Sequence, residues 1–466
     1  MKKMLAVILS LTLALAGFAG AARAEEETLF TDRDLAQEAD LTGAEKIELT
    51  GQSVTIDHAG VFLLSGEIEN GQLTVAAGEE DKVQLVFSGV SIRQDTGAAI
   101  EIISADKVFI TLAQGSENSL SSGNITDDGV DGVIYSKSDL TLNGLGSLTI
   151  TAQQGHGIVG KDSLAITGGS YTIQAAGHGI SGKDALNIAD GTFVITTGGG
   201  SEAVEMQASD GFAMGRFGGF QGTSGSTQSE EDTVKAKGLK SDGPINVLYG
   251  SFTLDCADDA VHAGGDVTIS GGTWFIQTAD DGIHSDLDVS ISDGSIEIPY
   301  CYEGIEGKSV TIGGGSIRIT SNDDGINAAG EDTATGFRMP GTDTGAVMTV
   351  DGGELTVISG GDCLDSNGTI VLNGGTLNLT CNGSGNSALD SESGITNNDA
   401  QVTTNDGSEN GGGFGRGQMG GKGQFPGGGR GQLPEGSQFP GRGQDKPSDF
   451  TPPDGAGSAS PDGSSM

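Results

Sequence analysis

Residues 258 to 330 read DDAVHAGGDVTISGGTWFIQTA (258–279), DDGIHSDLDVSISDGSIEIPYC (280–301), YEGIEGKSVTIGGGSIRITSN (302–322) and DDGINAAG (323–330). One unit is written repeatedly. An apolar anchor follows a small residue at Val261, Ile283, Ile305 and Ile326, with steps of 22, 22 and 21 residues. A turn at Gly272, Gly294 and Gly315 steps by the same 22 and 21. Two landmarks that share a period define a structural repeat. Within a unit the apolar residues alternate, as at Val267 and Ile269 before the turn and Trp274 and Ile276 after it. That is the period of a strand with one buried face. A unit this short cannot bury its apolar face alone, whereas stacked coils bury a continuous core. The fold expected is an all-β parallel β-helix of about 22 residues per coil.

Outward from that stretch the register persists. Ile158 to Ile180 and Leu239 to Val261 are each 22 residues, and the array runs on through GDCLDSNGTIVLNGGTLNLT and SALDSES. Strand-like segments begin near Ile47, so residues 45–400 form the body, with an irregular first coil at 45–65 as its cap. Insertions are expected at 207–232 and 331–345, a mobile lead-in at 25–44, and a Gly/Pro-rich disordered tail at 406–466. The tail has no apolar anchor and reads as a linker or solvated end, with cell-envelope association as a further role. With 82 glycines and 5% aromatic residues, the core is expected to consist of aliphatic ladders.

Residues 1–24 carry Lys2 and Lys3, an apolar run from Met4 to Phe18, and Ala22-Arg23-Ala24. This is the pattern of a secretory signal peptide. The run is too short for an integral membrane segment, and no later stretch would span a bilayer. Removal of Lys2, Lys3 and Arg23 takes the formal charge from -41 to -44. Such an anion repels nucleic acid, and an exported one meets calcium, which favours carboxylate oxygens. The four cysteines, Cys256, Cys301, Cys363 and Cys381, are too few for a disulfide framework. Cys256 and Cys301 lie two coils apart, beyond disulfide reach; Cys363 and Cys381 either pair or are buried thiols.

The register stacks Asp259, Asp281, Glu303 and Asp324 in one column, followed by Asp362, and His262, His284, Glu306, Asn327 and Asp365 in another. Both flank the inward anchor and are expected to point outward at one corner. Adjacent members about 5 Å apart repel by about 1 kcal/mol in water and several times that nearer the protein. Calcium held by neighbouring coils would reverse that sign, with Asp258, Asp280 and Asp323 adding oxygens. The alternative is a hydrated corner whose acids pair with Lys308, Arg318, the histidines or turn amides. Zinc on His262 and His284 would need a further nitrogen or sulfur ligand.

DDAVHAGGDVTISGG, DDGIHSDLDVSISDG, YEGIEG and DDGINAAG, with GDCLDSNGTIVLNGG, SALDSES and the earlier AIEIISADKVFITLAQGSENSL, resemble the bacterial carbohydrate-binding domain-containing proteins with a polysaccharide-lyase-like β-helix. The resemblance covers residues 45–400 and implies a right-handed, extracellular parallel β-helix that holds calcium and binds cellulose or acidic sugars such as polygalacturonate. Calcium carries over to the matching acids Asp258, Asp259, Asp280, Asp281, Glu303, Glu306, Asp323 and Asp324. The chain departs from the family after SALDSES, where the final strands are expected to be missing. Candidate sugar contacts are Phe275 and Arg318 in the outward column Phe275, Glu297, Arg318, Thr356 and Asn378, and Tyr300 and Tyr302 near the acid corner. The function expected is non-catalytic polysaccharide binding. A calcium-dependent polysaccharide lyase, with Arg318 or Lys308 as base, and a structural or adhesive surface protein are the alternatives.

Overall fold

The computed structural model describes residues 29–124, 129–204, 206, 236–330, 344–383 and 385–406. The expected signal peptide at 1–24, the insertion at 207–232, most of that at 331–345 and all of the tail beyond residue 406 lie outside the described residues.

The protein is a parallel β-helix. A representative rung consists of Val261–Ala263, Val267–Ile269 and Thr273–Thr278. The next consists of Ile283–Ser285, Asp288–Ile291 and Ser295–Cys301. Each strand pairs in parallel with its counterpart one rung on. Three lanes result. The first is a 13-stranded sheet from Val54–Ile56 to Leu389–Ser391. The second and third are joined into one 25-stranded sheet because the strands Gly60–Glu69 and Lys82–Thr96 run through both.

The alternation seen in the sequence is the alternation of burial. Trp274 pairs with Ile296 and Ile296 with Ile317, all inward and at most 2% exposed. Ile298 and Ile319 form the neighbouring ladder, in line with Ile276. One difference lies inside. The core is not purely aliphatic, because Tyr171, Phe193, Phe252 and Trp274 stack on four successive rungs, with ring centroids 5.3, 4.8 and 3.7 Å apart. Identical inward positions in a parallel stack bring like rings face to face.

Glycine marks the turn between the second and third lanes. Gly315 has φ +85°, and a Cβ there would lie 2.6 Å from the carbonyl oxygen of Gly294 below it. The residue before the first-lane anchor is small for a related reason: at Gly304 a Cβ would meet the Gly325 carbonyl at 2.3 Å.

Two expectations about the ends are corrected. The segment after Leu29, expected as a lead-in free of the body, is packed against it. Thr31 caps the helix Asp32–Leu35 in a capping box with Asp34, and Asp34, 2% exposed, binds Lys107 Nζ (2.7 Å) and Thr141 Oγ1 (2.6 Å). Phe30 packs on Ala165, Ala189 and Leu248. At the other end the coil is completed beyond SALDSES by Gly394–Asn397 and Gln401–Asn405, which extend the second and third lanes. The four cysteines are buried free thiols, Cys363 and Cys381 included. Among the described residues no helix is long and apolar enough to cross a membrane.

Candidate metal and carbohydrate site

Between the third and first lanes each rung turns a corner, and the acid columns line it. The register is the expected one: Val261, Ile283, Ile305, Ile326 and Leu364 pair in series. This stacks the residues two positions before them and one position after them. The first of these columns is buried at Asp259 and Asp281, 2% and 6% exposed, and half-buried at Glu303, Asp324 and Asp362. The reason is a hydrogen-bond ladder along the chain of rungs. Asp259 Oδ1 accepts the Asp281 N–H (3.2 Å), Asp281 Oδ1 the Glu303 N–H (3.2 Å), and Asp324 Oδ1 the Asp362 N–H (2.6 Å). Each carboxylate thereby satisfies a backbone donor of the next turn and is drawn against it. Inward hydroxyls brace the same corner: Thr278 Oγ1 donates to the Asp258 carbonyl (2.5 Å) and Ser321 Oγ to that of Asp323 (3.0 Å).

Earlier rungs fill the column with other residues. His156 Nδ1 accepts the His178 N–H (2.7 Å), and His178 Nδ1 accepts the Lys237 N–H (3.0 Å). The two rings stack with centroids 4.5 Å apart. Lys237 comes next. Its ammonium lies 2.8 Å from Asp258 Oδ1 and 2.5 Å from Asp259 Oδ2. Sequence reasoning missed His156, His178 and Lys237, although each stands two positions before an anchor, as HGI, HGI and KGL.

Downstream of Lys237 the charges are less well matched. Burial, and then the crowding of carboxylates, pushes Asp281 to about 6, Glu306 to about 7, Asp324 to about 8 and Asp365 to about 7. Glu303 is raised well above the usual carboxylate range for the same reasons. Asp259 behaves oppositely. Burial opposes its charge, but the His262 hydrogen bond and the Lys237 and His284 charges hold it below its ordinary value.

Three trios bring ligand atoms within 4.8 Å of one another among the expected acids and their neighbours: Asp258, Asp259 and Asp280; Asp281, His284 and Glu306; and Asp259, His262 and His284. A further trio, Asp362, Asp365 and Asp390, lies near the last rung. Asp323 instead accepts the Tyr302 hydroxyl (2.8 Å). Two buried side-chain oxygens among the described residues have no donor, Asp131 Oδ1 and Asn327 Oδ1, and the second belongs to this corner. Asn327 donates through Nδ2 to Glu303 Oε2 (3.2 Å), while its buried Oδ1 has no donor. Asn327 pairs with Glu306 on one side and Asp365 on the other. An unmet oxygen between two acids is what a bound cation satisfies.

The expected sugar contacts do not converge. Phe275, Glu297 and Arg318 follow one another in an outward column of the third lane, with Phe275 half-buried and Arg318 exposed. Tyr300 sits at the register shift that Pro299 and Tyr300 introduce, and Tyr302 belongs to the acid corner.

A family model described as carbohydrate-binding domain-containing protein matches residues 50–218, 206–282 and 278–411. A protein of the same description from Acetivibrio thermocellus is 32% identical over 186 residues, which is 37% of this chain. The match spans 65% of that relative's length. Among solved structures, the polysaccharide lyase-like protein from C. thermocellum aligns with a TM-score of 0.38 and 23% identity, over 59% of this chain and 93% of that one. With family matches running from residue 50 to residue 411, the chain belongs to the carbohydrate-binding domain-containing protein family.

Proposed function

We propose that this protein is exported and binds polysaccharide without cleaving it, with calcium holding the acid corner of its β-helix together. Family membership supports the carbohydrate reading. The parallel faces add to it, since they present equivalent side chains on every rung at about 4.8 Å, which suits a ligand that itself repeats. Cellulose and acidic polymers such as polygalacturonate are the proposed classes.

The calcium reading is carried by Asn327 Oδ1, a buried acceptor without a donor that stands inside the acid corner. Asp258 and Asp259 already share the Lys237 ammonium. The stretch that fits a hard cation therefore begins at Glu303, where Glu303, Asp323, Asp324 and Asn327 offer oxygen donors alone. Calcium there would neutralise the carboxylates that burial has crowded and would offer a positive point to a uronate.

Retention on insoluble cellulose and on a polygalacturonate affinity gel tests the binding, with product absorbance followed in parallel. Retention with no rise in absorbance from unsaturated products is expected. A rise would make the protein a lyase, and no retention on either polymer would make it a structural or adhesive surface protein.

A further inference from the structure

Upstream of the oxygen-only stretch the corner is built with nitrogen. His262 and His284 occupy adjacent rungs in register, with ring centroids 4.7 Å apart. His284 Nδ1 lies 3.2 Å from Asp281 Oδ2, 3.7 Å from Glu306 Oε2 and 3.9 Å from Asp259 Oδ2. A ring nitrogen carries at most one hydrogen and so serves one of these oxygens at a time. Three carboxylates from three rungs nonetheless converge on it.

The surroundings orient these groups for a ligand between them. Asp281 Oδ1 is held by the Glu303 N–H and Asp259 Oδ1 by the Asp281 N–H, which turns each Oδ2 toward the imidazoles. On the outer side of both rings, Asp286 Oδ1 lies 3.7 Å from His284 Nε2 and 3.8 Å from His262 Nε2. At these distances Asp286 makes no hydrogen bond to either ring in the metal-free chain. Closing to bonding distance on Nε2, it would fix the proton there and free the Nδ1 lone pair for an ion, as a carboxylate behind a metal-bound histidine does.

We propose that Asp281, His284 and Glu306 hold a transition-metal ion of the zinc or cobalt class, with Asp286 positioning His284. Their ligand atoms already lie within 4.8 Å of one another, so a small contraction brings them onto bonds of about 2.0–2.2 Å. An imidazole nitrogen with two carboxylates suits such an ion, whereas calcium takes oxygen. Asp259 and His262 border the ion rather than ligate it. Asp259 Oδ2 is engaged by Lys237 Nζ at 2.5 Å, and His262 Nδ1 is bonded to that same oxygen at 2.8 Å. The site shares the acid corner with the proposed calcium stretch, Glu306 lying one rung from Asn327, but differs from it in offering a nitrogen ligand, and its cobalt test is read in excess calcium so that the two readings fail separately.

The test uses the full chain without an affinity tag, stripped with a chelator and titrated with cobalt(II) in excess calcium. A visible ligand-field band that zinc removes and calcium does not is expected. His284→Gln should abolish the band, and Asp286→Asn should weaken cobalt binding by about 10–100-fold. His58→Gln, at the exposed far edge, should leave it unchanged. A band that survives in His284→Gln, or is lost equally to calcium, overturns the proposal. Should His284→Gln fail to fold, X-ray absorption of the zinc-loaded native chain decides: a shell containing an imidazole supports the site, and an all-oxygen shell refutes it.

Discussion

Lys237 Nζ lies 2.5 Å from Asp259 Oδ2, an ammonium set into the corner column at the rung where its residues change from histidine to acid. Burial opposes the charge on Lys237, yet Asp259 and Asp258 outweigh it and hold the amine above its ordinary value. Removing one partner of such a buried group leaves the others uncompensated. Lys237→Met should lower stability by about 3–5 kcal/mol, seen as an earlier denaturation midpoint. Adding Asp259→Asn to that variant should recover part of the loss. An unchanged midpoint in Lys237→Met would mean the ammonium is incidental.

The raised carboxylates set a pH dependence in the metal-free protein. Asp281 at about 6, Glu306 at about 7 and Asp324 at about 8 bind protons in the folded state that the unfolded chain has released. Stability should therefore fall as pH rises from about 4 through about 8. His284 acts in the same direction. Burial opposes its charge, but the Asp281 hydrogen bond and the Asp259 charge raise it to about 9, so its contribution is full below its ordinary value and is lost as pH passes about 9. After chelation the melting temperature should drop steadily between about pH 5 and about pH 8.5, and calcium should flatten the slope. A melting temperature that climbs across this window would contradict the charge assignment.

The N-terminal clip depends on Asp34. Burial raises the cost of its charge, while Lys107, Thr141 and Thr31 more than compensate and depress its pKa. The clip should therefore be intact above the ordinary carboxylate value and released as pH falls through and below it. Asp34→Ala should cost about 1–3 kcal/mol locally, and amides at 31–37 should then exchange rapidly while the rungs beyond Leu239 stay protected.

Phe252 is sandwiched between Phe193 and Trp274 in the aromatic stack. Phe252→Ala should cost about 3–5 kcal/mol. Because Trp274 is the sole tryptophan, its fluorescence reports the cavity directly. Unchanged emission and stability would place Phe252 outside the stack.

How far the molecule is legible from its sequence can be argued residue by residue. Val261, Ile283, Ile305 and Ile326 disclose the fold because an inward position must be apolar on every rung, so the spacing alone reports the stack. They also disclose which acids share a column. They do not disclose that Asp259 and Asp281 are buried, since that depends on which rotamer reaches the next turn's N–H. Lys237 escaped because attention to residue type hides a position that the register would have exposed. The ring stack was obscured by the insertion between Phe193 and Phe252, which breaks the spacing. Asp34 and Lys107 meet across the surface, and no periodicity couples them.

The most direct test of calcium-dependent polysaccharide recognition is the affinity of the chain for polygalacturonate by titration calorimetry, before and after metal removal verified by elemental analysis. With calcium, binding should be measurable. Without it, a chain of formal charge -41 should repel the polyanion and binding should be lost, as it should largely be in Asp324→Asn with calcium present. Undiminished affinity in the metal-free protein would contradict the account and leave the acid corner a purely structural feature of the β-helix.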